Sequence, residues 1–156
     1  MKAIHSIIAA AALAFVLPAA ANAAATDPEV ILYRFSGVLD NGGGIGAGVA
    51  TAFHCTNFSG VPETVRIVIR DSNAGLAANS AFGLNHLQTR TFTTHAVTLY
   101  AQTTLGTGVV LQGTAAIAAT STSVVCTAMT IDAASTSPVG IALHSIRFSP
   151  VPGSQE

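Results

Sequence analysis

From residue 24 onward, short runs in which β-branched and aromatic residues alternate with polar ones recur between clusters of Gly, Pro, Asn and Ser, and no helical period of useful length appears. Strands of this kind have one apolar face each, and they hide it by stacking sheet on sheet. Residues 49–55 place Val49, Thr51, Phe53 and Cys55 on one face and Ala50, Ala52 and His54 on the other. Residues 64–70 turn Val65, Ile67 and Ile69 inward and Arg66 and Arg70 outward, and the two runs read as a hairpin around the loop 57–62. Residues 30–37 form a further strand, and 40–44 and 71–75 are turns. Segment 76–82 is weakly patterned, and 87–99 is a threonine-rich strand or pair of strands. Runs 109–119 and 123–131 read as a second hairpin. In the last run, 141–148, the alternation slips between Leu143 and Ile146, which predicts a bulge. Seven to nine strands in one domain's length indicate an all-β sandwich or small barrel.

The first 23 residues are set apart from this pattern. Lys2, an almost unbroken apolar stretch from Ala3 to Leu17, Pro18, and the small-residue end Ala21-Asn22-Ala23 are the three parts of a secretory signal peptide, with cleavage expected after Ala23. The stretch is shorter than the roughly 18 to 20 residues that cross hydrocarbon. Without an apolar tail over residues 149–156 either, no stable membrane anchor is expected. The domain reading is therefore signal peptide 1–23 and β-sandwich 24–156, with a secreted or periplasmic product. Beyond residue 23 the chain has five arginines, no lysine and seven acids, for a net charge of -2. Such a chain has no basic patch for phosphate backbones or anionic membranes, which argues against nucleic-acid binding. Aromatics at 6% of the sequence are too few for the girdles of a transmembrane barrel.

Cys55 and Cys126 are the only cysteines, and in an exported chain an even count favours a disulfide between them. Their spacing invites comparison with an immunoglobulin-like two-sheet β-sandwich, whose bridge ties the two sheets together. Two hallmarks of antibody domains are absent, since the chain has no tryptophan and Val124 stands where a corner tyrosine would. The segments Thr51-Ala-Phe-His-Cys-Thr-Asn57 and, over residues 112–132, QGTAAIAATSTSVVCTAMTID resemble a recurring pattern in small secreted bacterial proteins of unknown function. The resemblance covers residues 47–148 and implies a sandwich and an exported life, with no activity and no site residues.

Candidate chemistry is sparse. Glycoside-type hydrolysis needs two carboxylates within about 9.5 Å, whereas Glu63 and Asp71 flank one strand and stand about 26 Å apart along it. Asp40 and Asp132 belong to separate turns, where acids mostly serve the backbone. No G-x-S-x-G elbow occurs, and His144 and Ser145, adjacent on a strand, point to opposite faces. His54, His86, His95 and His144 lack ligand spacing and local acids, so no metal is expected. In the first hairpin His54 would face Arg66, a cation that disfavours imidazolium. The glycine run 42–48 has a strand after it rather than a helix, which makes it a turn and not a phosphate cradle. Asn57-Phe58-Ser59 matches a glycosylation acceptor, and Met129 is the only methionine beyond the leader, too few for a copper chaperone.

These readings converge on a non-catalytic structural or interaction module without cofactor. The rivals are a small hydrolase or metal-dependent enzyme built on dispersed histidines, and a self-assembling surface component. Lysine commonly blunts sheet edges, and this chain has none beyond Lys2, which leaves an edge strand open to an unknown protein or surface partner.

Overall fold

The computed structural model describes residues 29–137 and 139–148; the expected leader at 1–23 and the tail at 149–156 lie outside them. Within the described residues the elements are β1 (Val30–Asp40), β2 (Val49–Asn57), β3 (Glu63–Arg70), β4 (Leu76–Leu84), β5 (Thr89–Thr93), β6 (Gln102–Thr104), β7 (Val110–Ala119), β8 (Val124–Asp132), β9 (Gly140–Ala142) and β10 (Ser145–Arg147), with no helix among them. They form two five-stranded sheets in the orders β10-β1-β7-β3-β4 and β6-β5-β2-β8-β9. All pairings are antiparallel except β5 with β6.

Alternation explains the main core. Val65, Ile67 and Ile69 of β3 and Ala115, Ile117 and Ala119 of β7 point inward from the first sheet, and they share one buried cluster with Phe53, Phe92, Val124 and Ala128 of the second. Arg66 and Arg70 turn away from it. Two aromatic pairs join the sheets: Phe35 of β1 meets Phe53 of β2 edge-on at 5.8 Å, and Phe82 of β4 meets Phe92 of β5 at 4.8 Å. The reverse face of β2 is covered too. Ala50 and Ala52 form a smaller cluster with Val97, Ile131 and Ala133, because residues 94–101 fold back over the second sheet, with Thr94 N–H donating to Thr51 O and Thr98 N–H to Ala133 O.

Four sequence expectations are corrected. The runs at 49–57 and 63–70 are not a hairpin: β2 pairs with β5 and β8, whereas β3 pairs with β4 and β7 in the opposite sheet. Nor do β7 and β8 pair, since the turn at 120–123 carries the chain from one sheet to the other. Alternation reports which face of a strand is apolar and is silent about its neighbour. The parity slip near residue 143 is no bulge but a change of sheet: β9 pairs with β8, Leu143 N–H donates to Ala128 O, and β10 pairs with β1. A chain that crosses from sheet to sheet reverses the side that is inside, which reads in sequence as a lost beat.

The fourth correction concerns the disulfide. Cys55 and Cys126 are bonded as expected, but they sit directly opposite each other on adjacent strands β2 and β8 of one sheet, with Cα atoms 4.2 Å apart. The inter-sheet bridge of the immunoglobulin comparison does not form. Sulfur holds one strand pair in register; apolar contact holds the sheets together. Replacing both cysteines by alanine is therefore expected to keep both sheets, read by far-ultraviolet circular dichroism. It should cost about 4 kcal/mol in denaturant unfolding, the chain-entropy value for a separation of 71 residues.

Candidate functional site

The histidines and acids were the sequence candidates for chemistry, and the structure engages them one by one. Asp40, the last residue of β1, is 1% exposed. Its Oδ1 accepts from Gly42 N–H at 2.8 Å, and its Oδ2 lies 2.8 Å from His95 Nδ1 and accepts from the Thr107 hydroxyl at 3.3 Å. His95 Nε2 faces Ala47 O at 3.0 Å. A carbonyl only accepts, so Nε2 carries hydrogen, and the contact between Nδ1 and Oδ2 needs a second proton between them. A general base needs a free lone pair on the nitrogen that meets substrate, and here the backbone takes that position. This cluster instead pins the glycine run and the segment after β5 to the end of β1. Nothing local in sequence couples Asp40 to His95, 55 positions later.

His54 projects from the outer face of the second sheet between Thr91 and Thr127. Its Nδ1 lies 2.9 Å from the Thr91 hydroxyl, and its ring meets Tyr100 edge-on at 4.7 Å. Arg66, the neighbour expected from sequence, belongs to the other sheet and pairs with Glu29. Burial is what pushes the His54 pKa below its ordinary value. His86 Nδ1 accepts from Gly60 N–H at 3.0 Å, and His144 lies exposed at the crossing from β9 to β10. Among the described residues no group of three or more His, Cys, Asp or Glu gathers in a way that could hold a metal ion.

The remaining described acids serve the loops. Glu63 accepts from the Thr120 hydroxyl, Asp71 from Asn73 and Gly75 N–H, and Asp132 from Ala134 N–H. The glycine run 42–48 leads into β2, and Asn41 Oδ1 closes it by accepting from Val49 N–H at 2.8 Å.

Asn57 is the residue whose role the sequence hid most. Its amide nitrogen donates to Val61 O at 2.7 Å and Leu84 O at 2.8 Å, its Oδ1 accepts from Ser59 N–H at 2.8 Å, and the residue is fully buried. The glycosylation motif is therefore spent on folding, because its amide is inaccessible and both donor hydrogens are used. Asn57 ties the loop 58–62 to the loop after β4, where Leu87 holds a left-handed φ of 62° and its N–H donates to Asn57 O. Phe58, Val61 and Leu87 stand exposed on these two loops.

The sheet edges differ sharply from one another. Three of the four, β6, β9 and β10, are strands of 3 residues; the fourth, β4, has 9. A strand of that length is about 30 Å long. Its sequence, LAANSAFGL, has no charge and no proline. Ala78 and Leu84 are buried, Asn79, Ala81 and Gly83 are exposed on the outer face, and a side chain added at Gly83 would meet open space. Its pairing with β3 slips once near the start, between Ile69–Ala78 and Arg70–Leu76; from Ala78 to Leu84 no charge, proline or bulge interrupts the edge. Among the described residues no helix is long and apolar enough to cross a membrane.

Compared with protein-family models, with curated proteins and with solved structures, the chain matches none of them.

Two expectations follow. Asn57→Ala leaves two carbonyls and one N–H without their partner and should cost about 2 to 5 kcal/mol in denaturant unfolding. Asn57→Asp, which can still accept but cannot donate, should fail to rescue it. For His54 the folded pKa lies below the unfolded value of 6.5, so the unfolded chain binds the extra proton as pH falls. Stability should be constant on this account above the unfolded value and decline as pH drops through it toward the folded value. Unfolding midpoints from about pH 7.5 to about pH 5 should show that decline, and His54→Gln should flatten it.

Proposed function

We propose that this protein is an exported, non-catalytic interaction module that takes up an extended segment of a protein partner along β4. The observation that carries the reading is the 9-residue uncharged free edge, set against three edges of 3 residues each. Adding a strand to such an edge gains main-chain hydrogen bonds along its length, and alternate side-chain positions supply selectivity. Export is supported by the signal-peptide pattern over residues 1–23 and by the disulfide between buried cysteines, which suits a periplasmic or extracellular setting. The absence of chemistry is supported by what the titratable groups already do: His95 and Asp40 bind each other and the backbone, and Glu63, Asp71 and Asp132 are held by hydroxyls and turn amides.

A photo-activatable residue placed at Ala81 tests the reading in the host. It should cross-link to an extended segment of a polypeptide, and the same residue at Ala116, in the middle of the first sheet on β7, should not. A silent position 81, or equal capture at 116, overturns the assignment to β4.

A further inference from the structure

We infer that Asn41–Gly42 is a latent self-modification site, and that Asp40 and Val49 keep it unreacted for as long as they close the glycine run 42–48. The chemistry is independent of the β4 edge.

Asn41 is the only asparagine of the sequence followed by glycine. In such a pair the Gly42 nitrogen, once its proton has passed to a base in solution, attacks Asn41 Cγ. The new N–Cγ bond closes a five-membered imide, the Cγ–Nδ2 bond breaks, and the amide nitrogen leaves as ammonia with a proton from water. Water then opens the ring at either carbonyl, giving aspartate, or isoaspartate, whose main chain runs through Cγ. The sum is asparagine plus water to acid plus ammonia. Glycine favours the attack because no side chain crowds its nitrogen and its backbone is free to turn. Both residues are exposed, so water and base reach them.

The closed loop opposes each step. Gly42 N–H donates to Asp40 Oδ1 at 2.8 Å, and taking that proton away would set a nitrogen lone pair against an oxygen lone pair. Asn41 Oδ1 accepts from Val49 N–H at 2.8 Å, and Asn41 N–H donates to Val49 O at 3.2 Å. The carboxamide is thereby held toward the start of β2, whereas attack needs Cγ turned onto the Gly42 nitrogen within about 3 to 3.5 Å. Asp40 is itself fixed by His95 and Thr107, while His95 Nε2 donates to Ala47 O and Gly46 N–H to Ala96 O along the same run. Gly48 completes the seat, since a side chain there would run into the Asn41 carboxamide. Conversion is one-way. Isoaspartate lengthens the main chain by a methylene and sets a new carboxylate beside Asp40, so the contacts with Val49 cannot re-form and the run is released from β2.

The test follows conversion at position 41 in mildly alkaline buffer by peptide mass spectrometry, with aspartate and isoaspartate separated by chromatography. The folded protein is compared with the same protein unfolded in guanidinium chloride with its disulfide intact. The unfolded chain should convert, and the folded protein should convert at least about tenfold more slowly, as a site that reacts only on local opening does. Gly48→Ala displaces the carboxamide while leaving Gly42 untouched, and should react about tenfold faster than the folded wild type. Hydrogen exchange raised over residues 41–49 and unchanged in β3 and β7 shows that the loop has opened and the sheets have not. Should that variant not fold, His95→Gln, which unties Asp40 and Ala47, carries the same expectation. Equal rates in folded and unfolded wild type overturn the guard, as does a folded variant no faster than the wild type. An unfolded chain that does not convert overturns the site itself.

Discussion

Apolar contact between the two sheets is the constraint on which the rest of this structure depends. Phe35 against Phe53 and Phe82 against Phe92 bridge the gap at two places, and the β-branched residues of β3 fill the space between. Arg90 extends this layer to the rim: its guanidinium lies 5.3 Å from the Phe82 ring centroid and 5.7 Å from that of Phe92, and its Nε donates to Thr103. A cation over two ring faces closes the core on the side where β4 is the last strand. Core and edge are therefore one region, and what happens along β4 is felt by Phe82.

Buried polar groups take over where the apolar layer ends. Asp40 and Asn57 lie by opposite ends of β2: Asp40 gathers Gly42 N–H with the His95 and Thr107 side chains, and Asn57 gathers Ser59 N–H, Val61 O and Leu84 O. A buried donor or acceptor without a partner costs more than a made hydrogen bond gains, so each hub selects one loop arrangement among many. That is how loops rich in Gly, Ser and Asn acquire definite shapes. It also explains why His95 Nε2 and the Asn57 amide hydrogens, which look available in sequence, are taken by backbone carbonyls.

Legibility in the sequence followed the reach of each signal. Faces were legible: Val65, Ile67 and Ile69 inward and Arg66 outward depend only on strand geometry, and so does the division of β2 into a Phe53 side and an Ala50 side. The Cys55–Cys126 bond was legible from count and compartment, but its location within one sheet was not, because spacing does not say which strands are neighbours. The same gap misplaced both hairpins and put Arg66 beside His54. The direction expected for His54 agrees with the structure for another reason, desolvation in place of a cation. The links from Asp40 to His95 and from Asn57 to Leu84 depend on the tertiary fold and left no local trace.

The free edge is a different kind of observation, since it combines a composition with a topology. Lack of lysine beyond Lys2 is a property of composition and says nothing about any one strand; only the sheet order singles out β4. Had the long strands been central and all four outer ones short, the same composition would have carried no consequence. On the proposed reading, the cost of leaving the N–H and C=O groups of β4 that point away from β3 exposed to water is small, because water satisfies them, while the gain on pairing is limited by the narrow strip of surface that is covered. An edge of this kind suits reversible contact at high local concentration, and it would serve poorly in a dilute, permanent complex.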